Sequence, residues 1–264
     1  MDGMNVFDRR AVRRHRDRAA GLVGGGADLL RDAAERLLDR LDDMTGAFGS
    51  ALDVGGRGVV APLLRARGIA VVSCDLSPAM AAANGGLAVT ADEELLPFAP
   101  GSFDLVVASL SLHWVNDLPG ALIQLRRALR PDGLLLASVP VLGTLGELRA
   151  ALMAAEMALT GGASPRVSPF PTLPDCAGLL QRAGFAAPVV DLDEIVVRYA
   201  DPFSLIRDLR TAGETNAVRA RSLTVPRREM VAMALAEMVG ADGRVGVTLR
   251  MGMLTGWAGP GGGG

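Results

Sequence analysis

The sequence predicts an α/β protein built on a doubly wound sheet, and three observations predict it. Apolar runs of strand length alternate with helical stretches between residues 50 and 140. Strands covered on both faces of a parallel sheet have that composition. The first run, "SALDV" at 50–54, carries Asp53 and passes into three glycines within four positions, Gly55, Gly56 and Gly58. The second, "IAVVSCD" at 69–75, ends at an acid, Asp75, 22 residues after Asp53. In doubly wound sheets a nucleotide-like ligand lies across the carboxyl ends of the strands. A glycine turn lets backbone approach it, and an acid ending strand two can accept from both ribose hydroxyls.

The elements follow in chain order. "FDRRAVRRHRDRAA" at 7–20 is helical and holds six arginines, Arg9, Arg10, Arg13, Arg14, Arg16 and Arg18. They are read as a solvated basic face, with contact to an acidic partner as the alternative. Residues 27–43 place Leu29, Leu30, Ala33, Ala34, Leu37, Leu38 and Leu41 on one stripe of an amphipathic helix. After the first strand, 59–68 is a helix ended by Gly68. Residues 77–84 start a helix with Ser77 as N-cap and Pro78 at its first position. "LAVT" at 87–90 and "FDLVVASL" at 103–110 are strands three and four. A helix over 118–130 stops at Pro131 and Gly133, and 134–140 is strand five.

The alternation then changes. Residues 144–159 form a long helix, and 161–174 a proline-rich loop suited to a lid or substrate wall. Helices follow at 175–185, with Gly184 as C-cap, at 201–213, and at 225–240, capped by Thr224. Strands are expected at 189–199 and 244–258. The organisation expected is a helical segment over 1–45 and one domain over 46–258. Lid inserts are placed at about 141–187 and 200–240, and a disordered tail at 259–264.

A net charge of −2 and a pI of about 5.8 argue against a general nucleic-acid binder. All 27 basic residues are arginine, so no lysine serves as base or Schiff-base former. Cys74 and Cys176 make neither a disulfide framework nor a zinc spacing, and with only His15 and His113 besides, no metal site is expected. No apolar stretch is long enough to span a membrane, and "MDGMNVFDRR" lacks an apolar signal core. A cytoplasmic location is expected.

Two further stretches carry chemistry. In "TADEELLPF" at 90–98, Asp92 is placed to accept from an adenine amino group, with an exposed acidic turn as the alternative. In "SLSLHWVNDL" at 109–118, Ser109, Ser111, His113 and Trp114 line the cleft where a cofactor's reactive end meets the substrate; a packed His–Trp pair is the bland alternative.

The order of the Asp-Gly turn, Asp75, "ADEELLPF…SFDLVVASLSLHWV" and "LRRALRPDGLLL" resembles the class I S-adenosylmethionine-dependent methyltransferases over roughly residues 48–140. More narrowly, "FDRRAVRRHRDRAA", "SLSLHWVNDLP", "TLGELRAAL", "SPRVSPF" and "DLRTAGETN" resemble the complex I assembly factor 5 family over nearly the whole chain. A wider cousin is the malonyl-carrier-protein methyltransferase of biotin synthesis. The resemblance implies a Rossmann-like sheet of seven strands and S-adenosylmethionine as cofactor. Asp75 and Leu76 would lie at the ribose, Asp92 and Glu93 at the adenine, and Asp53, Gly55, Gly56, Gly58 and Ser109 toward the methionine end. Members of the superfamily have Asp-x-Gly-x-Gly-x-Gly where this chain has "DVGGRG", one residue shorter, with Arg57 at the tip. Arg57 is expected to face either solvent or the methionine carboxylate.

Three activities follow. The first is methyl transfer to an unidentified acceptor. The second is hydroxylation of a protein arginine in a respiratory complex I subunit, as the family implies, although two histidines hardly make a 2-His-1-carboxylate iron site. The third is a noncatalytic assembly factor. A protein or carrier-protein substrate is the partner expected. His113, Ser111, Glu147 and Asn216 are the catalytic candidates. Glu147 and Asn216, together with Glu214, are expected to face the cleft as an acidic wall suited to a cationic acceptor; the alternative leaves Glu147 and Arg149 merely solvated.

Overall fold

A computed structural model describes residues 5–22, 28–44, 46–224 and 228–260. Strands β1 (Ser50–Val54), β2 (Ala70–Asp75), β3 (Leu87–Thr90), β4 (Phe103–Ser109) and β5 (Leu129–Pro140) are followed by β6 (Ala186–Tyr199) and β7 (Val245–Trp257). They form one seven-stranded sheet in the order β3-β2-β1-β4-β5-β7-β6. The chain reverses direction across the sheet between β1 and β4, the position at which such sheets open a ligand crevice.

The helices are α1 (Arg9–Ala19), α2 (Asp28–Leu38), α3 (Val60–Ala66), α4 (Pro78–Ala83), α5 (Leu118–Ala128), α6 (Gly146–Thr160), α7 (Leu173–Arg182), α8 (Pro202–Thr211) and α9 (Arg228–Glu237). Successive strand residues feed opposite faces. Leu105, Val107, Leu134 and Leu136 pack with Leu37 and Leu64 on one side, and Val106 and Leu135 pack with Leu125 and Leu180 on the other. Each such side chain contributes about 1.5–3 kcal/mol by leaving water. The α2 stripe is buried at Leu30, Ala33, Ala34, Leu37 and Leu38, and a short 3-10 turn carries Leu41 beyond it. Ser77 caps α4, accepting from the Met80 N–H at 3.0 Å.

The sheet departs from the expected parallel arrangement at β7, which runs antiparallel to both β5 and β6. Of the sheet strands, residues 245–250 pair with β6 alone, Val245 also bridging Val239, and they alternate between buried and half-buried, whereas Met251–Gly256 lie between two strands and are all buried. Strand β5 starts at Leu129, earlier than 134, because Leu129 already pairs with Phe103. Residues 173–182 belong to the layer against the main sheet: Cys176, Leu179 and Leu180 join the same core as α5. A separate core unites α6, α8 and α9 with the free end of β7 through Leu148, Leu205, Leu235, Val245 and Val247. The expected helix start and cap near 225, the loop ahead of α2 and the tail beyond 260 fall partly or wholly outside the described residues.

Candidate functional site

The site starts from the glycine turn. Gly55 leaves β1 with φ +65° and donates to the Cys74 carbonyl at 2.8 Å. Arg57 and Gly58 also take positive φ, and the Gly58 N–H donates to Asn84 Oδ1 at 2.5 Å. Both leading glycines are required sterically. A Cβ at Gly55 would stand 2.7 Å from Ser111 Cβ, and one at Gly56 would overlap the Asp53 carboxylate folded beneath the turn.

That carboxylate is fully buried. Its Oδ2 accepts from Ser73 Oγ at 3.3 Å, while Oδ1 has no partner. Burial, and then the charge of Asp75, push the Asp53 carboxyl up to about 7. At the end of β2, Asp75 Oδ1 accepts from the Ser77 N–H at 2.8 Å, and Oδ2 has no partner. Burial raises its pKa, against the pull of Arg16.

Arg16 is the unexpected member. The basic helix was expected to be solvated, yet Arg16 is buried, and its Nη1 donates to Asp75 Oδ1 at 3.3 Å and to Glu93 Oε1 at 2.6 Å. Arg9 binds Asp92 Oδ1 at 2.6 Å, Glu93, and the Trp114 carbonyl at 3.0 Å. Burial would push the Glu93 carboxyl up, but the two guanidiniums outweigh it and hold it near 2. Helix α1 thus closes over the strand ends, while Arg10, Arg13, Arg14 and Arg18 stay exposed. A signal for this was present: Val12, Arg16 and Ala19 follow helical spacing on one buried face. Leu76 packs beside them with Val12 and Trp114.

Arg57 faces neither solvent nor an open crevice. Its guanidinium is buried, donating to Glu214, to the Ala212 carbonyl at 3.1 Å and to the Leu110 carbonyl at 2.6 Å. It also reaches the Ser109 carbonyl at 3.3 Å. A flexible arginine is drawn there because the last carbonyls of β4 and the end of α8 are acceptors that lack strand or helix partners. Glu214 Oε2 accepts from His113 Nε2 at 2.7 Å and Trp114 Nε1 at 2.8 Å. Burial pushes Glu214 up, but His113 and Arg57 reverse this and keep it well below the usual carboxylate range.

His113, Trp114 and Glu214 line an apolar cavity of about 110 Å³, which Asn216 also lines. Asn216 Nδ2 donates to the Pro165 carbonyl at 2.7 Å, tying the proline-rich loop to the site. Glu147 is not there. Its carboxylate accepts from Thr248 Oγ1 at 2.6 Å on the outer face of β7, so the acidic wall is reduced to Glu214. The reason is helical phase: Leu148 turns to the cavity, and its neighbour in sequence turns away. Ser111 is buried against Gly55, its Oγ without a partner, and Ser109 Oγ stands 3.5 Å from Ser138 Oγ.

Residues 52–137 match the methyltransferase domain family. The chain is 40% identical to "Arginine-hydroxylase NDUFAF5, mitochondrial" of Danio rerio, over 97% of this chain and 83% of that protein. The chain belongs to the NDUFAF5 family. The human NDUFAF5 is also 40% identical, over 96% of this chain and 77% of its own length. A malonyl-[acyl-carrier protein] O-methyltransferase of Methylovorus sp. (strain MP688) is 37% identical over 82% of this chain and 77% of that protein. Among solved structures, the YcgJ protein of Bacillus subtilis superposes with a TM-score of 0.58 at 12% identity, over 86% of this chain and all of that one. A putative methyltransferase of Bacillus halodurans gives 0.56 at 17% identity, over 86% of this chain and 99% of that one.

This member of the NDUFAF5 family therefore has the class I methyltransferase fold, which implies S-adenosylmethionine as cofactor. The residues fit that group: two buried carboxylate oxygens without partners, Asp53 Oδ1 and Asp75 Oδ2, flank the glycine turn at the sheet's switch point.

Proposed function

We propose that the chain binds S-adenosylmethionine across the ends of β1 and β2 and transfers its methyl group to an acceptor carried by a protein or carrier protein. The observation that carries this reading is Asp75 Oδ2, buried and unpartnered beside the glycine turn. When bound, S-adenosylmethionine supplies an electrophilic methyl group. Asp75 holds the ribose, with Leu76 against it. The turn of Gly55, Gly56 and Gly58 lets backbone approach the methionine end, above Asp53 and near Ser109. Asp92 and Glu93, already gathered by Arg9 and Arg16, form the adenine side. Methyl transfer depends chiefly on alignment of acceptor and methyl, and Ser111, His113 and Asn216 border the acceptor side. Calorimetry with S-adenosylmethionine tests this. Asp75→Ala removes charge-assisted hydrogen bonds worth about 1.5–3 kcal/mol each, so affinity falls at least about tenfold. Unchanged affinity in a folded variant removes Asp75 from the site.

A second reading is hydroxylation of a protein arginine, supported by 40% identity to the fish and human arginine hydroxylases along almost the whole chain. The partner would then be a respiratory complex I subunit. Mass spectrometry of captured partners separates the two, since a methyl and an oxygen add different masses. The exposed Arg10, Arg13, Arg14 and Arg18 suit an acidic partner surface. No helix among the described residues is long and apolar enough to cross a membrane. We place the protein in the cytoplasm, a reading supported by two free, buried cysteines, Cys74 and Cys176.

A further inference from the structure

We propose that Arg16 is a built-in competitor of the cofactor: its guanidinium holds the place at which Asp75 would receive a ribose hydroxyl, and helix α1 must lift it away before S-adenosylmethionine binds. The proposal rests on the cofactor reading above and adds an inhibitory contact to it. A carboxylate holds a ribose diol best with one oxygen for each hydroxyl. Asp75 Oδ2 is free, but Oδ1 accepts from the Ser77 N–H at 2.8 Å and from Arg16 Nη1 at 3.3 Å. Arg16 Nη1 also donates to Glu93 Oε1 at 2.6 Å, and Nη2 reaches the Ser111 carbonyl at 3.4 Å. The same Nη1 lies over the glycine turn, 3.5 Å from where a Cβ of Gly55 would stand. One guanidinium thus covers the acid proposed for the ribose, an acid proposed for the adenine side, and the turn.

Access points the same way. The side chains of Asp75, Glu93 and Arg16 are 0%, 1% and 2% exposed, and Ser111 and Gly55 are buried. A nucleoside is far larger than the water already kept out, so a covering element must move first. The two halves of α1 are held differently. At its start, the Phe7 N–H donates to Asn116 Oδ1 at 2.8 Å, the Asp8 N–H donates to the Ala217 carbonyl at 2.8 Å, and Asp8 pairs with Arg221 at 2.9 Å. Ala11 and Val12 pack there with Trp114 and Ala217. The second half buries Arg16 and one small apolar side chain, Ala19. A further tie is Asp17, whose Oδ1 accepts from Ser77 Oγ at 2.5 Å. The half that carries Arg16 therefore exposes little apolar surface on lifting, and segments of that kind open most readily. Glu93 keeps Arg9 when Arg16 leaves, and the ribose hydroxyls take over at Asp75, so neither buried carboxylate is left bare.

Calorimetry of the full-length chain with S-adenosylmethionine, alongside NMR of its arginine side chains, tests the gate. Apparent affinity scales with the fraction of chain in the open, binding-competent state. Arg16→Ala removes both the bulk and the charge, and should bind at least about tenfold tighter than the wild type. Asp17→Ala loosens the same half of α1 without removing a group from the cofactor site, and should bind at least about threefold tighter. It carries the test if Arg16→Ala does not fold. In the wild type the Arg16 guanidinium protons, shielded in the free chain, should lose their protection when the cofactor binds. Unchanged or weaker binding by a folded Arg16→Ala would overturn the gate, as would Asp17→Ala at wild-type affinity or Arg16 protons that stay protected in the bound state. Wild-type binding that Asp75→Ala weakens and Arg16→Ala does not strengthen sinks the gate and leaves the cofactor reading standing. Binding by neither the wild type nor the variants sinks both.

Discussion

Arg16 and Arg57 are both buried and both bind carboxylates, yet they leave their surroundings in opposite states. Around Arg16 the acids are in excess. Asp53, Asp75 and Glu93 are all buried, and among the described residues the arginines in ion-pair contact with them are Arg16 and the partly exposed Arg9. Glu93 takes most of the positive charge and is held near 2, whereas Asp53, without an arginine of its own, rises to about 7. Around Arg57 there is one acid, Glu214, with His113 and Trp114 also donating to it. That carboxyl stays ionised. Burial acts on both groups in the same direction, so the local count of countercharges decides which acids keep their charge. Asp53 is thereby poised to change protonation near neutrality, whereas Glu214 beside Arg57 is not.

Removing each arginine tests the contrast most directly. Arg16→Met leaves Asp75 and Glu93 buried with only Arg9 opposite, and should cost about 3–5 kcal/mol in denaturant unfolding. Arg57→Met leaves Glu214 its His113 and Trp114 donors, and should cost less, about 1–3 kcal/mol. Equal losses would erase the distinction.

The pH dependence sharpens it. Asp53 ordinarily titrates near 3.8 and does so near 7 in the folded chain. The folded state therefore holds a proton that the unfolded chain releases. The resulting stability is full below about 3.8 and is lost as pH rises through about 7. Asp53→Asn keeps a neutral side chain throughout, so its advantage over the wild type should grow between pH 4 and pH 8, by at most about 4 kcal/mol. Glu93 has the opposite sign. Its folded value near 2 lies below the ordinary 4.5, so its contribution is present above about 4.5 and is lost as pH falls through 2. Unfolding free energies of the wild type and Asp53→Asn at pH 4, 6 and 8 measure the first slope, and those of the wild type and Glu93→Gln at pH 2, 3 and 5 measure the second; an Asp53→Asn advantage that is flat with pH would contradict the assignment.

The smallest effect lies where α1 meets the sheet. Ser77 Oγ donates to Asp17 at 2.5 Å while capping α4. Ser77→Ala should lower stability by about 1 kcal/mol, the ordinary value of a lost cap, with a matching small drop in melting temperature. A loss as large as that of Arg16→Met would mean that α1 is held chiefly by this contact.

The sequence by itself determined the parts that depend on near neighbours. The five parallel strands were legible because each is a short apolar run. The turn after β1 needs glycine at Gly55 and Gly56, Ser77 followed by proline starts a helix, and Asp75 ends β2 whatever lies opposite. Tertiary structure alone decided the direction of β7, which acids Arg9 and Arg16 pair with, the burial of Arg57 and the exclusion of Glu147 from the cleft. The physical reason is distance along the chain. Arg16 finds its carboxylates 59 and 77 residues away, and Arg57 finds Glu214 157 residues away. An arginine on a short helix looks the same in sequence whether water or a buried carboxylate receives it; only the packed fold, by removing the water, makes the carboxylate the better partner.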